Sequence, residues 1–420
     1  MTALDPLDPL DPLEQRVTTR IDRLHAAQTA FLAELVRVPS DNPPGDCRPH
    51  ALRAAALLEE LGFAVEKHAV LDAIVRANGM TSVVNLVVRH RFGAGPIVAL
   101  NAHGDVVPPG GGWSADPYGA DIRDGRMFGR GVAVSKSDFA TYAFALKSLI
   151  DSGAQLGGTV ELHFTYDEEV GGAVGPGWLL AQGIVEPDYV IAAWFAYSVV
   201  IAHNGCLHLE VQVDGRSAHA ARPDSGADAL EAATTILGSL YELRKGYAAR
   251  RSAIPGIEHP TLVVGLISGG INTNVVPDKV TFRLDRRIIP DESPAEAERD
   301  LIAHIAEVAA TLPDVKVSTR RILLAEPLAP SPAQLELAQV LQRRAREITG
   351  EDVPAIGVPL FTDARLYGNA GIPTVMYGAG PHSILEANGH RADENLVLED
   401  LRKATKVVAL GLLDLLGERH

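Results

Sequence analysis

The sequence predicts an α/β protein interrupted by a smaller α+β insertion, and three observations support this. Over residues 14–205 apolar runs alternate with helical periodicity, the pattern of sheet strands covered by helices. Over 206–323 the strands change to strict apolar–polar alternation, which buries one face only, as in an antiparallel sheet. From 324 to 420 the first pattern resumes, so the middle segment reads as inserted.

Val17, Ile21, Leu24, Phe31 and Leu35 fall near helical spacing and predict a first amphipathic helix. Pro39 and Asn42-Pro43-Pro44-Gly45 end it. A second helix covers about 49–62 and stops at Gly62. Val83–Val88 and Ile97–Leu100 read as buried central strands. Val160, Leu162 and Phe164 form another, running into Tyr166-Asp167-Glu168-Glu169. In the insertion, Leu207, Leu209, Val211 and Val213 alternate with His208, Glu210 and Gln212, and Val280, Phe282 and Leu284 repeat the pattern. Helices at about 226–244 and 294–311 accompany these strands. After the insertion come a helix at about 332–348, a strand near Thr374–Tyr377 and a last helix at about 397–416. At the other end, Leu4–Leu13 reads LDPLDPLDPL. Proline every third residue blocks helix formation, so residues 1–13 are expected to be a disordered or loosely docked tail.

The chain has 38 Lys plus Arg against 53 Asp plus Glu, a formal charge of −15. That balance speaks against nucleic acid or an anionic membrane surface as a partner. No apolar run approaches the roughly 20 residues of a membrane helix, and the acidic start lacks a signal peptide's basic and apolar regions. Two cysteines, Cys47 and Cys206, exclude a disulfide scaffold and fit a reducing compartment. The expected location is cytoplasmic.

Four segments carry candidate chemistry. Asn101-Ala102-His103-Gly104-Asp105 follows an apolar strand, where functional groups gather in α/β sheets. Its spacing lets the imidazole bind a metal while the carboxylate orients it. Asp167-Glu168-Glu169 puts three carboxylates together at another strand end. Their mutual repulsion requires a cation or a shared proton if they are buried. Gly389-His390-Arg391-Ala392-Asp393-Glu394 precedes the last helix, and Ser217-Ala218-His219 lies in the insertion. Taken singly, each has a bland alternative: a loop histidine, a solvated acidic turn, a helix cap.

Together they are specific. In order and spacing, the chain from about Leu35 to the last helix resembles the dinuclear zinc amidohydrolases: aminoacylase, acetylornithine deacetylase, succinyl-diaminopimelate desuccinylase and carboxypeptidase G. The matching landmarks are Val38-Pro39-Ser40 with Pro43-Pro44-Gly45, His103-Gly104-Asp105, Gly129-Arg130-Gly131, Asp167-Glu168-Glu169 and Ser217-Ala218-His219. Gly269-Gly270, Asn274-Val275-Val276-Pro277, Thr362-Asp363-Ala364-Arg365, and His390 with Glu394 continue the series. The resemblance implies a zinc-peptidase-like three-layer α/β catalytic domain (14–205 and 324–420). It also implies an inserted α+β, ferredoxin-like dimerisation domain (206–323), hence a homodimer.

Carried over residue by residue, the resemblance makes His103 a metal ligand oriented by Asp105, and Glu168 the general base. Glu169 and His390 become ligands of the second metal, and Lys136 matches a lysine of the site. The bridging aspartate, three residues after Gly-Arg-Gly, falls on Val134. The remaining carboxylate ligand falls on or beside Trp194, and no carboxylate exists between Asp188 and Glu210. Two of the five ligand positions are therefore apolar, and neither metal keeps the three protein donors a catalytic zinc normally has. Asp138, four residues after Val134, is a candidate substitute; His203, Cys206 and His382 are others without a spacing argument. His219, Asn274 and Arg365 match positions used for substrate, with His219 reaching a partner subunit's site. Arg286, Arg287 and Arg365 are candidates for gripping a substrate carboxylate, ordinary salt bridging being the alternative for at least two of them.

Three functions follow. The first is an amidohydrolase acting on a small N-acyl amino acid, short peptide or related amide, with zinc or another divalent metal bound weakly or atypically. The second is a metal-independent enzyme of the same fold. It would use Glu168, His103, His390 and Lys136 for acid–base chemistry: hydrolysis, elimination, isomerisation or cyclisation of an amino-acid derivative. The third is a non-catalytic binding protein that keeps the pocket.

Overall fold

The computed structural model describes residues 10–417. They form two compact units. The first takes the chain up to Ile201, Pro330–Ala355 and the residues from Thr362 onward; the second takes Ala202–Ala329 and Ile356–Phe361.

The first unit opens with the helix Pro12–Val36. The Asp11 carboxylate accepts the N–H groups of Leu13 and Glu14, and the Glu14 carboxylate accepts that of Asp11. This capping box satisfies helix-end donors, and Pro12 sits at the first helical position, where its missing N–H costs nothing. The expected tail is corrected at this point: Pro12 and Leu13 are helical, and residues 1–9, which include the first six of the proline repeat, lie outside the described residues. Arg344, in the helix Pro332–Thr349, binds Asp414 of the helix Leu398–Leu416. It also pairs with Glu14 and Glu347.

The main sheet has eight strands. From one edge they are Val65–Ala69, Val84–Arg91, Thr159–Thr165, Ile97–His103, Tyr189–Ala192, Thr374–Met376, Val199–His203 and Ala355–Val358. Every residue of Val98–His103 and Val160–Thr165 is buried. Successive side chains point to opposite faces, so both faces are covered, which makes three layers. Ile97–His103 runs parallel to both neighbours, with His103 level with Thr165 and Asn101 with Ala192. Thr374–Met376 is parallel to Tyr189–Ala192. These strands therefore finish along one edge.

The second unit runs strand Gly205–Asp214, helix Ala229–Lys245, strands Thr261–Gly269 and Lys279–Ile288, helix Pro294–Ala309, strand Lys316–Ala325. All pairings are antiparallel, with Gly205–Asp214 and Lys279–Ile288 central. This is the ferredoxin-like β-α-β-β-α-β order. Leu207, Leu209, Val211, Val213 and Phe282 pack in one core with residues of both helices. Cys206, His208 and Glu210 consequently lie on the other face. Among the described residues, no helix is long and apolar enough to cross a membrane.

Candidate active site

His103 ends its strand, and its Nδ1 lies 3.0 Å from the Asp105 carbonyl oxygen and 3.3 Å from Asp105 Oδ1. Asp105 is fully buried. Its carboxylate also accepts Asn42 Nδ2 (3.0 Å) and the N–H groups of Glu168 (3.3 Å) and Glu169 (3.2 Å). One side chain therefore fixes both the imidazole and the turn Glu168–Val170. Gly104 between them leaves room for Tyr166: a Cβ there would stand 2.4 Å from the phenol ring.

The donor atoms of His103, Glu168 and Glu169 lie within 4.8 Å of one another. His390 Nε2 adds a contact of 3.3 Å to Glu169 Oε1. His390 has φ +62°, a left-handed conformation that non-glycine residues adopt at a cost and that gathers at functional sites. Burial pushes Glu168 up to about 8, with the Glu169 charge adding to it against the pull of His103. Asp363 is also pushed up to about 8, by burial first and by Glu168 next. Burial and then Asp363 raise Asp167 well above the carboxylate range. His103 is held well above its ordinary value: burial opposes its charged form, but Glu168 and Asp105 outweigh burial. The site thus buries more carboxyl groups than cationic partners, an arrangement that retains protons or takes up a cation.

The two apolar positions stand at this edge. Glu394 Oε1 accepts the N–H groups of Ala133 (3.1 Å) and Val134 (3.2 Å), while Oε2 pairs with Arg130 Nη1 at 2.6 Å. Ser135 Oγ, next in the chain, donates to the His103 carbonyl at 2.9 Å. Trp194 follows the strand Tyr189–Ala192, and the N–H of Ala193 donates to Asn101 O at 2.8 Å. The Trp194 indole N–H donates to Ser198 Oγ at 3.1 Å. Valine has no donor atom, and an indole offers only an N–H. The group that could hold a cation here is His103, Glu168 and Glu169, and neither Val134 nor Trp194 adds a carboxylate to it.

Several expected residues are occupied otherwise. Asp138 is buried and its Oδ1 accepts the Ala379 N–H at 2.8 Å. Burial raises it well above the usual carboxylate range, and it is not in the group formed by His103, Glu168 and Glu169. Lys136 Nζ is fully buried on the carbonyls of Leu35 (3.3 Å) and Val38 (3.1 Å). It satisfies the C-terminal end of the first helix, and burial lowers it to about 7. Arg286 is buried and bidentate on Glu292, both contacts 2.7 Å. Arg287 pairs with Asp285 at 2.9 Å. Arg365 is the arginine that belongs to the site. Its Nη2 donates to Gly171 O at 2.6 Å, and its charge acts on Glu168 and Asp363. His382 is an exposed residue stacked on Tyr197 and 3.1 Å from Glu351. In the second unit, His203 Nδ1 contacts Asn204 O, and Cys206 groups with His208 and Asp285. His219 and Asn274 are neighbours there: His219 bridges to Val275, and the Ala220 N–H donates to Asn274 O at 3.0 Å. Sequence reading used Asp363 and Glu394 only as landmarks. Their burial, which raises Asp363 and leaves Glu394 accepting the Val134 N–H, had no sequence signal.

A model of peptidase family M20/M25/M40 matches residues 99–414. The chain belongs to this family. Its members are hydrolases, and this M20 chain is an amidohydrolase-class enzyme. It is 28% identical over 395 residues to a succinyl-diaminopimelate desuccinylase of Gluconacetobacter diazotrophicus, covering 91% of this chain and 96% of that one. It is 28% identical over 381 residues to an acetylornithine deacetylase of Myxococcus xanthus, covering 87% and 92%. Human carnosine dipeptidase 1 shares the fold with a TM-score of 0.74 at 17% identity, over 97% of this chain and 99% of that chain. The M20 metallo-carboxypeptidase Sso-CP2 of Sulfolobus solfataricus does so with 0.74 at 19% identity, over 92% and 98%.

Proposed function

We propose that this M20 enzyme hydrolyses the amide bond of a small N-acyl amino acid or short peptide, with Glu168 carrying the proton and at most one divalent cation in the site. The observation that carries the reading is Glu168 itself. It is raised to about 8, fixed on a turn clamped by Asp105, and 3.9 Å from His103. In that setting Glu168 takes the proton of an attacking water and returns it to the leaving amine. Arg365 attracts a substrate carboxylate to the same edge. A cation held by Glu169 with His103 or His390 would polarise the amide carbonyl. The substrate class is supported by relatives that are a desuccinylase and a deacetylase.

The finer features belong to the same reading. Thr261–Gly269 is an edge strand, and Val263, Leu266 and Ile267 on it are exposed, as is Ile271 just beyond. Exposed apolar edges pair readily, so a second copy of the chain is proposed to cover this one. In that homodimer His219 and Asn274 would serve the partner's substrate, His219 stabilising the developing oxyanion. The two free thiols, Cys47 and Cys206, favour a cytoplasmic location.

Glu168→Ala should lower turnover of N-acyl amino acids at least about a hundredfold in a folded protein. A loss of only a few-fold would refute the assignment. A second reading rests on Glu168 and Asp363 both being raised to about 8, so that one is available as a proton donor near neutrality without metal. Turnover unaffected by chelator would select it over the first, and no turnover across a broad amide panel would leave only ligand binding.

A further inference from the structure

In the second unit, Cys206, His208 and Asp285 bring a sulfur, a nitrogen and an oxygen donor within 4.8 Å of one another. The backbone dictates the meeting. Cys206 and His208 are two residues apart on one strand, so they share a face. Asp285 lies directly opposite His208 on the neighbouring strand. His208 Nε2 stands 2.8 Å from Asp285 Oδ2 and 3.8 Å from Cys206 Sγ. A tetrahedral zinc would set such pairs about 3.4 and about 3.5 Å apart, so small side-chain shifts suffice. Arg287 Nε holds Asp285 Oδ1 at 2.9 Å, which leaves Oδ2 for the shared point. Both contacts of His208 fall on the same ring nitrogen. A cysteine–histidine–aspartate proton relay needs the carboxylate on the other nitrogen, whereas a common cation needs the observed convergence. Cys206 is fully buried, while the His208 and Asp285 side chains are 36% and 29% exposed, so an ion can enter.

We infer that Cys206, His208 and Asp285 form a second metal site, separate from the catalytic chemistry, that takes one zinc-like divalent cation and clamps two central strands of the inserted unit. The thiolate–imidazole–carboxylate set selects a borderline-soft cation over magnesium or calcium. Water would fill the fourth position.

The test is Co²⁺ added to the chelator-stripped, reduced full chain. The expected result is a thiolate-to-cobalt charge-transfer band that rises and saturates as this site fills. It should be lost in Cys206→Ser and kept in Cys47→Ser. Arg287→Gln, which frees the Asp285 carboxylate, should weaken cobalt binding about ten- to a hundredfold. If Cys206→Ser does not fold, Asp285→Asn decides: a weaker band supports the site, an unchanged one overturns it. No band in the folded parent, or a band that survives in Cys206→Ser, overturns it too. The readout depends on a thiolate, so it stands or falls independently of hydrolysis by Glu168.

Discussion

Glu168 is a carboxyl group whose folded environment favours its proton, and that has a consequence for stability. Burial and Glu169 raise it from 4.5 to about 8. The folded chain keeps a proton that the unfolded chain releases, so the contribution is complete below about pH 4.5 and is lost as pH rises through about 8. Chelator-treated protein should therefore lose thermal stability across that window. Glu168→Gln keeps the shape without ionising and should lose less; a Tm profile parallel to the parent's would contradict the assignment. His103, Glu168, Glu169 and His390 were legible in the sequence because each sits in a short motif at a strand or loop end. The partners of Lys136 and Arg286, the Leu35 and Val38 carbonyls and Glu292, were not legible, because they come from packing that no local pattern reveals.

Elements with a strong period were the most legible. The last helix was expected at about 397–416 and is Leu398–Leu416. Strict alternation at Leu207–Val213 marked the core strand Gly205–Asp214. The small sheet of Asp121–Arg123, Arg126–Phe128 and Asn395–Val397 gave no signal, because three-residue strands carry no period. Thr261–Gly269 was hidden for a different reason: as an edge strand it is exposed at most positions. The start of the first helix turned on one residue. Proline was read as a breaker, but Asp11 caps the helix and makes Pro12 its first residue. Asp11→Ala should cost about 1 kcal/mol of stability in urea unfolding, and an unchanged midpoint would show that the cap contributes nothing.

For the whole molecule, the ferredoxin-like insertion ends in an apolar edge, and the proposed homodimer follows from it. Light scattering at micromolar concentration should give a dimer for the parent. Leu266→Lys with Ile267→Lys, which places charges on that edge, should give a folded monomer. A dimer that persists in this variant would place the interface elsewhere. At most one divalent cation is expected at the edge where His103, Glu168, Glu169 and His390 meet, beside a loop that carries Val134 and a strand end that carries Trp194. The most direct test is anomalous diffraction at the zinc edge from crystals grown with zinc. No more than one peak is expected among His103, Glu169 and His390, and no pair of peaks beside Val134. Two fully occupied zinc peaks at bridging distance there would contradict it.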